Sequence, residues 1–329
     1  MIELRKDQLH IRFPELHPQA RMSIDFQRTL RIPDDGKNYP LPAGLGCFPM
    51  RHVDDFGSDV PERWLEHGGV MLPMYQSEAL WINFDGGYPC AVKIAAGKIN
   101  AVTGDAYRPG LHRGPQDYAV TPGQPWLDGF CVEKGIIRQF VAMPLGAGYS
   151  AEEQITGAAE HGGLQLHVYP IKRQHYRPPI EGASVTGAPL GRALFAKSFD
   201  MGLAPGGRMR QEIYRDHRPL DVWDLDHGHR CFVHLANSLV WRAITGEEPP
   251  STPLTARDYA RAHIPWFEYY AEGETAVDGA GVLQRLKSVV AMGKAKGDVP
   301  LPENESLTPQ TVIDLRRGLV KGQVREGRF

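Results

Sequence analysis

The chain lacks the features that would send it to a membrane, a secretory route or a nucleic acid. No stretch approaches the ~18 consecutive apolar residues of a membrane span, and the opening MIELRKDQLHIRFPEL has no apolar core typical of a signal peptide. Lys+Arg 37 against Asp+Glu 39 give a formal net charge of -2, which argues against a basic surface covering the molecule. We therefore expect a cytoplasmic protein with no membrane or nucleic-acid partner.

Motifs of cysteine and serine chemistry are also missing. The 4 cysteines are far apart and form no CxxC pair, so free thiols in a reducing compartment are expected: Cys47, Cys90, Cys131 and Cys231. There is no G-x-S-x-G, the sequence signature of a nucleophile elbow. With no recognisable catalytic set, the sequence favours a protein that is not an enzyme.

A strict alternation between Met22 and Ile32 is the strongest structural signal present. Apolar residues occupy every second position, with Arg28 the one polar exception, and the intervening positions are all polar. A period of two predicts a strand with one dry and one wet face, as in an antiparallel sheet. The 36 glycines and 27 prolines are spread along the chain, which indicates many turns between short strands.

Further alternating runs predict two hairpins and another amphipathic strand before residue 170. The pattern becomes mostly helical later, over residues 231–245, where the first turn can also be a strand, then after Thr255, over roughly 279–292 and from Thr308. We expect an α+β fold, mostly antiparallel β in sandwich- or barrel-like sheets. In one structural unit, residues 1–20 form an N-terminal arm, 21–250 a β-rich core, and 251–329 a helical segment packed on it. Residues 171–205 are expected to be a surface excursion.

One segment concentrates residue types that bind zinc or iron. Spacing alone does not bring the whole set together, because on a strand the third histidine has the wrong parity to join the first two. A solvated loop leading into a helix is the alternative interpretation. The candidate ligands are Asp226, His227, His229, Cys231 and His234. We otherwise expect no cofactor.

Two glycine-containing segments are candidates for anion binding. Gly206 and Gly207 precede Arg208 and Arg210, and paired glycine amides beside two arginines can form an anion nest. The alternative is a tight turn into an edge strand. Residues 146–151 fit G-x-G-x-x-A formally, but Ser150 and the following glutamate predict a capping box and a short helix.

Four apolar residues are candidates for an interface or pocket. Trp126 lies in a turn-rich stretch, where it can line a pocket, anchor an interface or plug a β core. Leu9, Ile11 and Phe13 alternate with polar residues in the arm, which can add a strand to its own sheet or to a neighbour's.

Several segments taken together resemble a family of uncharacterised, mainly bacterial proteins. The resemblance covers most of residues 22–250 and implies one integral unit there, with no activity, cofactor or site residue carried over. Its segments are FQRTLRIPDDGKNYPLPAGLG, GGVMLPMYQSEALWINF, VKIAAGKINAVTG, GQPWLDGF, IIRQFVAMPLGAGY and RCFVHLANSLVWRAITGEEPP.

Three functions follow from these patterns. The first is a non-enzymatic binding or assembly protein that self-associates into a homo-oligomer or filament through the arm. The second is a metal-dependent enzyme using the histidine cluster to activate water or oxygen. The third is a small-molecule or anion-binding protein using the arginines and glycines described above.

Overall fold

The computed structural model describes residues 1–177, 200–271, 273–298 and 305–315, and these form a mixed α+β fold with mostly antiparallel sheets. The expected fold class is thereby confirmed. Strands and helices are numbered along the chain. No helix among the described residues has both the length and the apolar character needed to cross a membrane.

The first sheet contains ten strands and has the order β1-β2-β3-β9-β15-β17-β4, with β6, β13 and β14 paired beside it. Its strands are β1 (Ile2–Arg5), β2 (Gln8–Arg12), β3 (Arg21–Thr29), β4 (Asn38–Tyr39), β6 (Gly44–Cys47), β9 (Ala79–Asp85), β13 (Trp126–Leu127), β14 (Gly129–Glu133), β15 (Ile136–Pro144) and β17 (Met201–Arg210). Only the β17–β4 pair is parallel.

The second sheet contains seven strands in the order β11-β10-β16-β18-β8-β7, with β12 on β10. Its strands are β7 (Arg51–His52), β8 (Val70–Met74), β10 (Cys90–Ala96), β11 (Ile99–Asn100), β12 (Ala119–Thr121), β16 (Leu164–Pro170) and β18 (His229–Asn237). The small third sheet joins β5 (Leu41–Pro42), β19 (Trp266–Glu268) and β20 (Val312–Asp314).

Six short α-helices lie at the ends and edges of the sheets in the described part of the chain: α1 (Glu62–His67), α2 (Ala151–Thr156), α3 (Ser238–Thr245), α4 (Ala256–Arg261), α5 (Gly281–Gln284) and α6 (Val289–Lys296). The capping box predicted at Ser150 is present and begins α2. Thr255 caps α4 in the same way.

The dry faces of the two large sheets pack against each other and form the main hydrophobic cluster. Ile24 and Phe26 of β3 contribute from the first sheet, and Val92 of β10 and Leu166 of β16 from the second. Because successive side chains of a strand point to opposite faces, the apolar positions lie in the core and the polar positions form the outer face of each sheet. Those two polar faces carry the sites described below.

The expected arm belongs to the chain's own sheet. β1 and β2 form a hairpin that pairs with β3. Leu9, Ile11 and Phe13 are at most 1% exposed and lie in the main cluster. Their use as contacts with a neighbouring chain was wrong, because their alternation places them opposite the dry side of β3.

Three helix predictions need correction. Residues 231–237 continue β18, and the helix begins only at Ser238, where the Asn237 side chain caps it by accepting from the Leu239 amide. The expected helix over 279–292 is two helices, α5 and α6. The residues after Thr308 form β20 in place of a helix. The apolar spacing around 231 suits both periods, and pairing with β16 and β8 favours the strand.

The expected excursion over 171–205 is described only at its two ends, since residues 178–199 lie outside the described residues. Its first end holds a short 3-10 turn (Arg173–His175). Its second end already belongs to β17, which begins at Met201 and therefore earlier than the alternation alone indicates.

Candidate functional site on the polar face of the second sheet

Three basic side chains lie side by side on the polar face of the second sheet. Lys93 of β10 is opposite His167 of β16, and His167 is opposite Arg230 of β18. Directly opposed residues on one face have Cβ atoms about 4.5–5.5 Å apart. Cross-strand register thus builds a row from positions that are remote in sequence.

Lys93 fastens the segment 105–117 over this face. Its Nζ donates to the carbonyl oxygens of Arg108 and Gly110, at 2.6 and 2.8 Å, and lies 2.7 Å from the Asp117 carboxylate. The side chain is 1% exposed. Burial lowers the pKa of Lys93, and the contact with Asp117 opposes that shift. Because all three ammonium hydrogens have acceptors, this lysine acts as an anchor.

His112 is held by the same carboxylate. Its Nδ1 lies 2.8 Å from one Asp117 oxygen, and its backbone amide donates to the other at 2.9 Å. A carboxylate can only accept here, so Nδ1 carries a proton. The imidazole is 33% exposed. Asp117 therefore connects His112 to Lys93.

His167 is a neutral imidazole oriented by two tyrosines. The hydroxyls of Tyr107 and Tyr169 each lie 2.9 Å from its Nδ1. Burial, followed by the charges of Arg230 and Lys93, lowers the pKa of His167 to about 4. The ring is therefore neutral and carries one proton, and both hydroxyls contact it at Nδ1.

A glycine allows the close packing around this histidine. A Cβ at Gly228 would lie 2.6 Å from the Tyr169 ring and 2.9 Å from Nε2 of His167. Any side chain at Gly228 would therefore displace both rings.

Arg230 is the exposed member of the row. Its guanidinium lies 4.6 Å from the ring centres of both Tyr107 and Phe232, and it donates to the Gln165 side chain. Within the described ranges it has no carboxylate within ion-pair distance, in contrast to Lys93 and Arg208. A guanidinium held between two aromatic rings is pre-organised to donate to a planar anion.

The residues of the predicted metal cluster are separated by the fold. Cys231 points into the core, where burial raises the pKa of its thiol to about 12. His229 stacks on Phe13 at 4.7 Å and contacts the N-terminal amine. His234 faces the other side of β18, donates to the Gly68 carbonyl at 3.0 Å, and has a pKa lowered to about 4 by burial.

The remaining two members of that cluster stay at the surface. His227 lies 3.0 Å from the Asp224 carboxylate, which raises the pKa of the imidazole, and Asp226 is exposed beside it. Nowhere in residues 1–177, 200–271, 273–298 and 305–315 do three or more histidine, cysteine or acidic side chains converge to hold a metal ion. Strand parity is the reason: His229 and His234 cannot share a face.

The predicted anion nest is absent because no turn occurs there. Gly206, Gly207, Arg208 and Arg210 all belong to the continuous strand β17. Arg208 makes two hydrogen bonds to the Glu133 carboxylate, at 2.9 and 2.7 Å. Arg210 pairs with a glutamate of β19 at 2.6 Å. The two glycines instead permit close packing, since a Cβ at Gly207 would meet a neighbouring carbonyl at 2.6 Å.

Trp126 lies partly exposed on β13, next to two other aromatic side chains. Its ring centre is 6.1 Å from that of Trp81 and 5.1 Å from that of Tyr269. Trp126 also packs against the hydrophobic cluster that contains Leu30 and Trp266. Its role in a pocket, an interface or the core stays a prediction.

Sequence reasoning missed the row around Arg230, although its signal was present. Lys93 and His167 occupy the polar positions of strands that the alternation identified. The alternation does not predict the strand order, which makes β10, β16 and β18 neighbours in the sheet. The residues of the overlying segment, Tyr107, His112 and Asp117, carry no motif at all.

Comparisons with protein-family profiles, with curated proteins and with solved structures find no match to this chain. The class of protein is therefore defined by its own geometry: an α+β protein with two packed sheets and a basic, aromatic site on one polar face. The resemblance to a family of bacterial proteins stays a prediction.

Proposed function

We propose that the protein binds a small molecule through an anionic group, a carboxylate or a phosphate, at Arg230. The observation that carries this proposal is the exposed guanidinium held between Tyr107 and Phe232 without a carboxylate partner in the described residues. An arginine fixed in this way has already lost much of its side-chain freedom, so that little further ordering is needed on binding.

The neighbouring histidine supports the same ligand class. Because His167 is neutral, it can hydrogen-bond to a ligand without adding or losing charge around neutral pH. An acid that also carries a hydroxyl or amine group suits this combination better than a simple inorganic anion.

Calorimetric titration tests the proposal, with inorganic phosphate, pyrophosphate and citrate as probes. We expect binding that weakens as ionic strength rises, and a loss of about tenfold or more in affinity for Arg230→Met. Arg242→Met is the matched control, because Arg242 is an exposed arginine paired with Glu248 on a different surface. Absence of binding by all three probes, or equal affinity of Arg230→Met and the unmodified protein, would show that the proposal is wrong.

Self-association is a second candidate, now through the edge of the first sheet. β1 is the terminal strand in the sheet order. The backbone groups of Met1 exchange hydrogen bonds with those of Arg12 on β2. Because hydrogen-bonded and non-hydrogen-bonded pairs alternate along an antiparallel ladder, the backbone N–H and C=O groups of Ile2 and Leu4 point away from β2, at the free edge of the sheet. A second copy could add its own β1 there. Ile2→Pro removes one outward donor, and native mass spectrometry against Ile2→Val should then show a shift towards monomer. A monomeric unmodified protein would exclude this candidate.

We place this activity in the cytoplasm. The four cysteines are free thiols, and a reducing compartment keeps them so. Because three of these thiols are buried, quantitative alkylation is expected once the purified protein is unfolded in denaturant, without prior reduction.

A further inference from the structure

The polar face of the first sheet carries a second patch of unusual composition. A cross-strand row places Gln8 of β2, Asp25 of β3, Asn83 of β9 and Trp126 of β13 side by side. Trp81 lies one step further along β9, on the same face. The patch thus combines side-chain amides and indoles around the carboxylate of Asp25.

The carboxylate organises the amides. Asp25 is 2% exposed and accepts from the side-chain amides of Gln8, Gln27 and Asn83, at 3.0, 2.6 and 3.0 Å. A carboxylate can only accept, so it fixes all three amides with their NH2 groups inward. Their carbonyl oxygens are consequently turned away from Asp25.

These three carbonyl oxygens form an array of acceptors in which the Gln8 and Asn83 side chains are partly exposed, whereas Gln27 is only 9% exposed. None of them makes a hydrogen bond within the described residues, and none belongs to the buried polar atoms that lack partners. Adjacent strands hold such groups about 5 Å apart. Equatorial hydroxyl groups on alternate ring carbons of a pyranose have a comparable spacing and are hydrogen-bond donors.

Aromatic rings border the array on one side. Trp126 meets Trp81 at an interplanar angle of 65° and Tyr269 at 51°, so the three rings form an angled wall. Each of the three is partly exposed. Indole faces attract the slightly positive C–H groups of a sugar ring, and they are rigid enough to bind without much loss of entropy.

The charges favour a neutral ligand. The charged side chains of these rows have both signs: Asp25, already satisfied by three donors, the exposed Asp85 at the end of β9, and Arg5 of β1, which lies opposite Gln8. Arg5 is paired with Glu3, so it is not an unpaired cation like Arg230.

We propose that the patch formed by Gln8, Asn83, Trp81, Trp126 and Tyr269 is a binding surface for neutral carbohydrate. This site lies on the opposite side of the packed sheets from Arg230 and does not depend on the function proposed there.

Titration of the full chain with neutral hexasaccharides tests the proposal, followed by tryptophan fluorescence and calorimetry. The probes are cellohexaose, xylohexaose, maltohexaose and N-acetyl-chitohexaose. We expect at least one to bind and to change the indole emission. Gln8→Met, which keeps the shape but removes the acceptor together with the amide donor to Asp25, should weaken binding about fivefold, and Trp126→Phe about tenfold.

Two controls make the outcome decisive. Gln174→Met changes an exposed glutamine elsewhere and should leave sugar affinity unchanged, as should Arg230→Met. Circular dichroism and Tm establish that Gln8→Met and Trp126→Phe are folded. The proposal is overturned if none of the four sugars binds, if the folded Gln8→Met and Trp126→Phe variants both bind as the unmodified protein does, or if choline binds in preference to every sugar.

Discussion

The buried ion pair between Arg28 and Glu78 gives the most demanding test of this structure. Arg28 is the polar residue on the otherwise apolar side of β3, and its Nε donates to Glu78 Oε1 at 2.6 Å. A further hydrogen bond of 3.0 Å connects it to Ser251. The two side chains are only 8% and 2% exposed. Each charge therefore relies on the other, because water cannot solvate it.

Glu78→Gln keeps the size of the side chain but leaves the guanidinium buried without a counter-charge. Breaking a buried pair in this way costs about 3–5 kcal/mol. That is a large fraction of the roughly 5–15 kcal/mol by which a typical domain is stable. In the double variant Arg28→Met/Glu78→Gln no charge remains, and the glutamine can still accept from the Tyr75 amide, as Glu78 does at 2.9 Å. We expect the double variant to be more stable than Glu78→Gln alone.

Urea unfolding measured at equilibrium provides the four free energies of this double-mutant cycle. Glu248→Gln is the control, since the Arg242–Glu248 pair is 66% and 64% exposed and should contribute less than about 1 kcal/mol. If Glu78→Gln costs no more than Glu248→Gln, or if removing Arg28 as well causes a further additive loss, the argument from burial is refuted.

Three further outcomes are expected. Burial raises the pKa of Asp128 to about 7; the unfolded chain ionises first, so stability falls as pH rises from about 4 towards 7, and Asp128→Asn should abolish this fall in a Tm series. Burial lowers the pKa of His234 to about 4; stability should thus be lost as pH decreases below about 6.5, and less so in His234→Gln. A Cβ at Gly279 would lie 2.2 Å from backbone atoms of Glu133, so Gly279→Ala should cost about 2 kcal/mol or more in urea unfolding. Gly281→Ala should not, because its Cβ would make only an ordinary contact of 3.5 Å with the Arg285 side chain.

Local periodicity was sufficient to predict much of the β architecture. The alternation after Met22 became β3, and the hairpin turn at residues 96–98 joins β10 to β11 as expected. Gly135 has the positive φ, 74°, that its hairpin requires. Periodicity failed where a segment satisfies two patterns, as at residues 231–237, and where glycines serve close packing within a strand, as at Gly206 and Gly207.

The candidate site was harder to predict than the fold. Lys93, His167 and Arg230 are neighbours only because β16 lies between β10 and β18, and strand order is a property of the whole fold. The clustered histidines were misleading for a related reason: closeness in sequence brings side chains together only when strand parity agrees. His229 and His234 lie on opposite faces of one strand.

Because Lys93 anchors residues 105–117, the rate at which this lysine is chemically modified reports how often that segment opens. Its ammonium group is buried and fully hydrogen-bonded, so an amine-reactive reagent can modify it only while the segment is lifted from the sheet. Lys37, with 60% of its side chain exposed, is accessible at all times. Peptide mass spectrometry can follow the labelling of both lysines. The labelling rate of Lys93 relative to that of Lys37 therefore measures the opening of the segment. An anion bound beside Tyr107 should lower the labelling rate of Lys93.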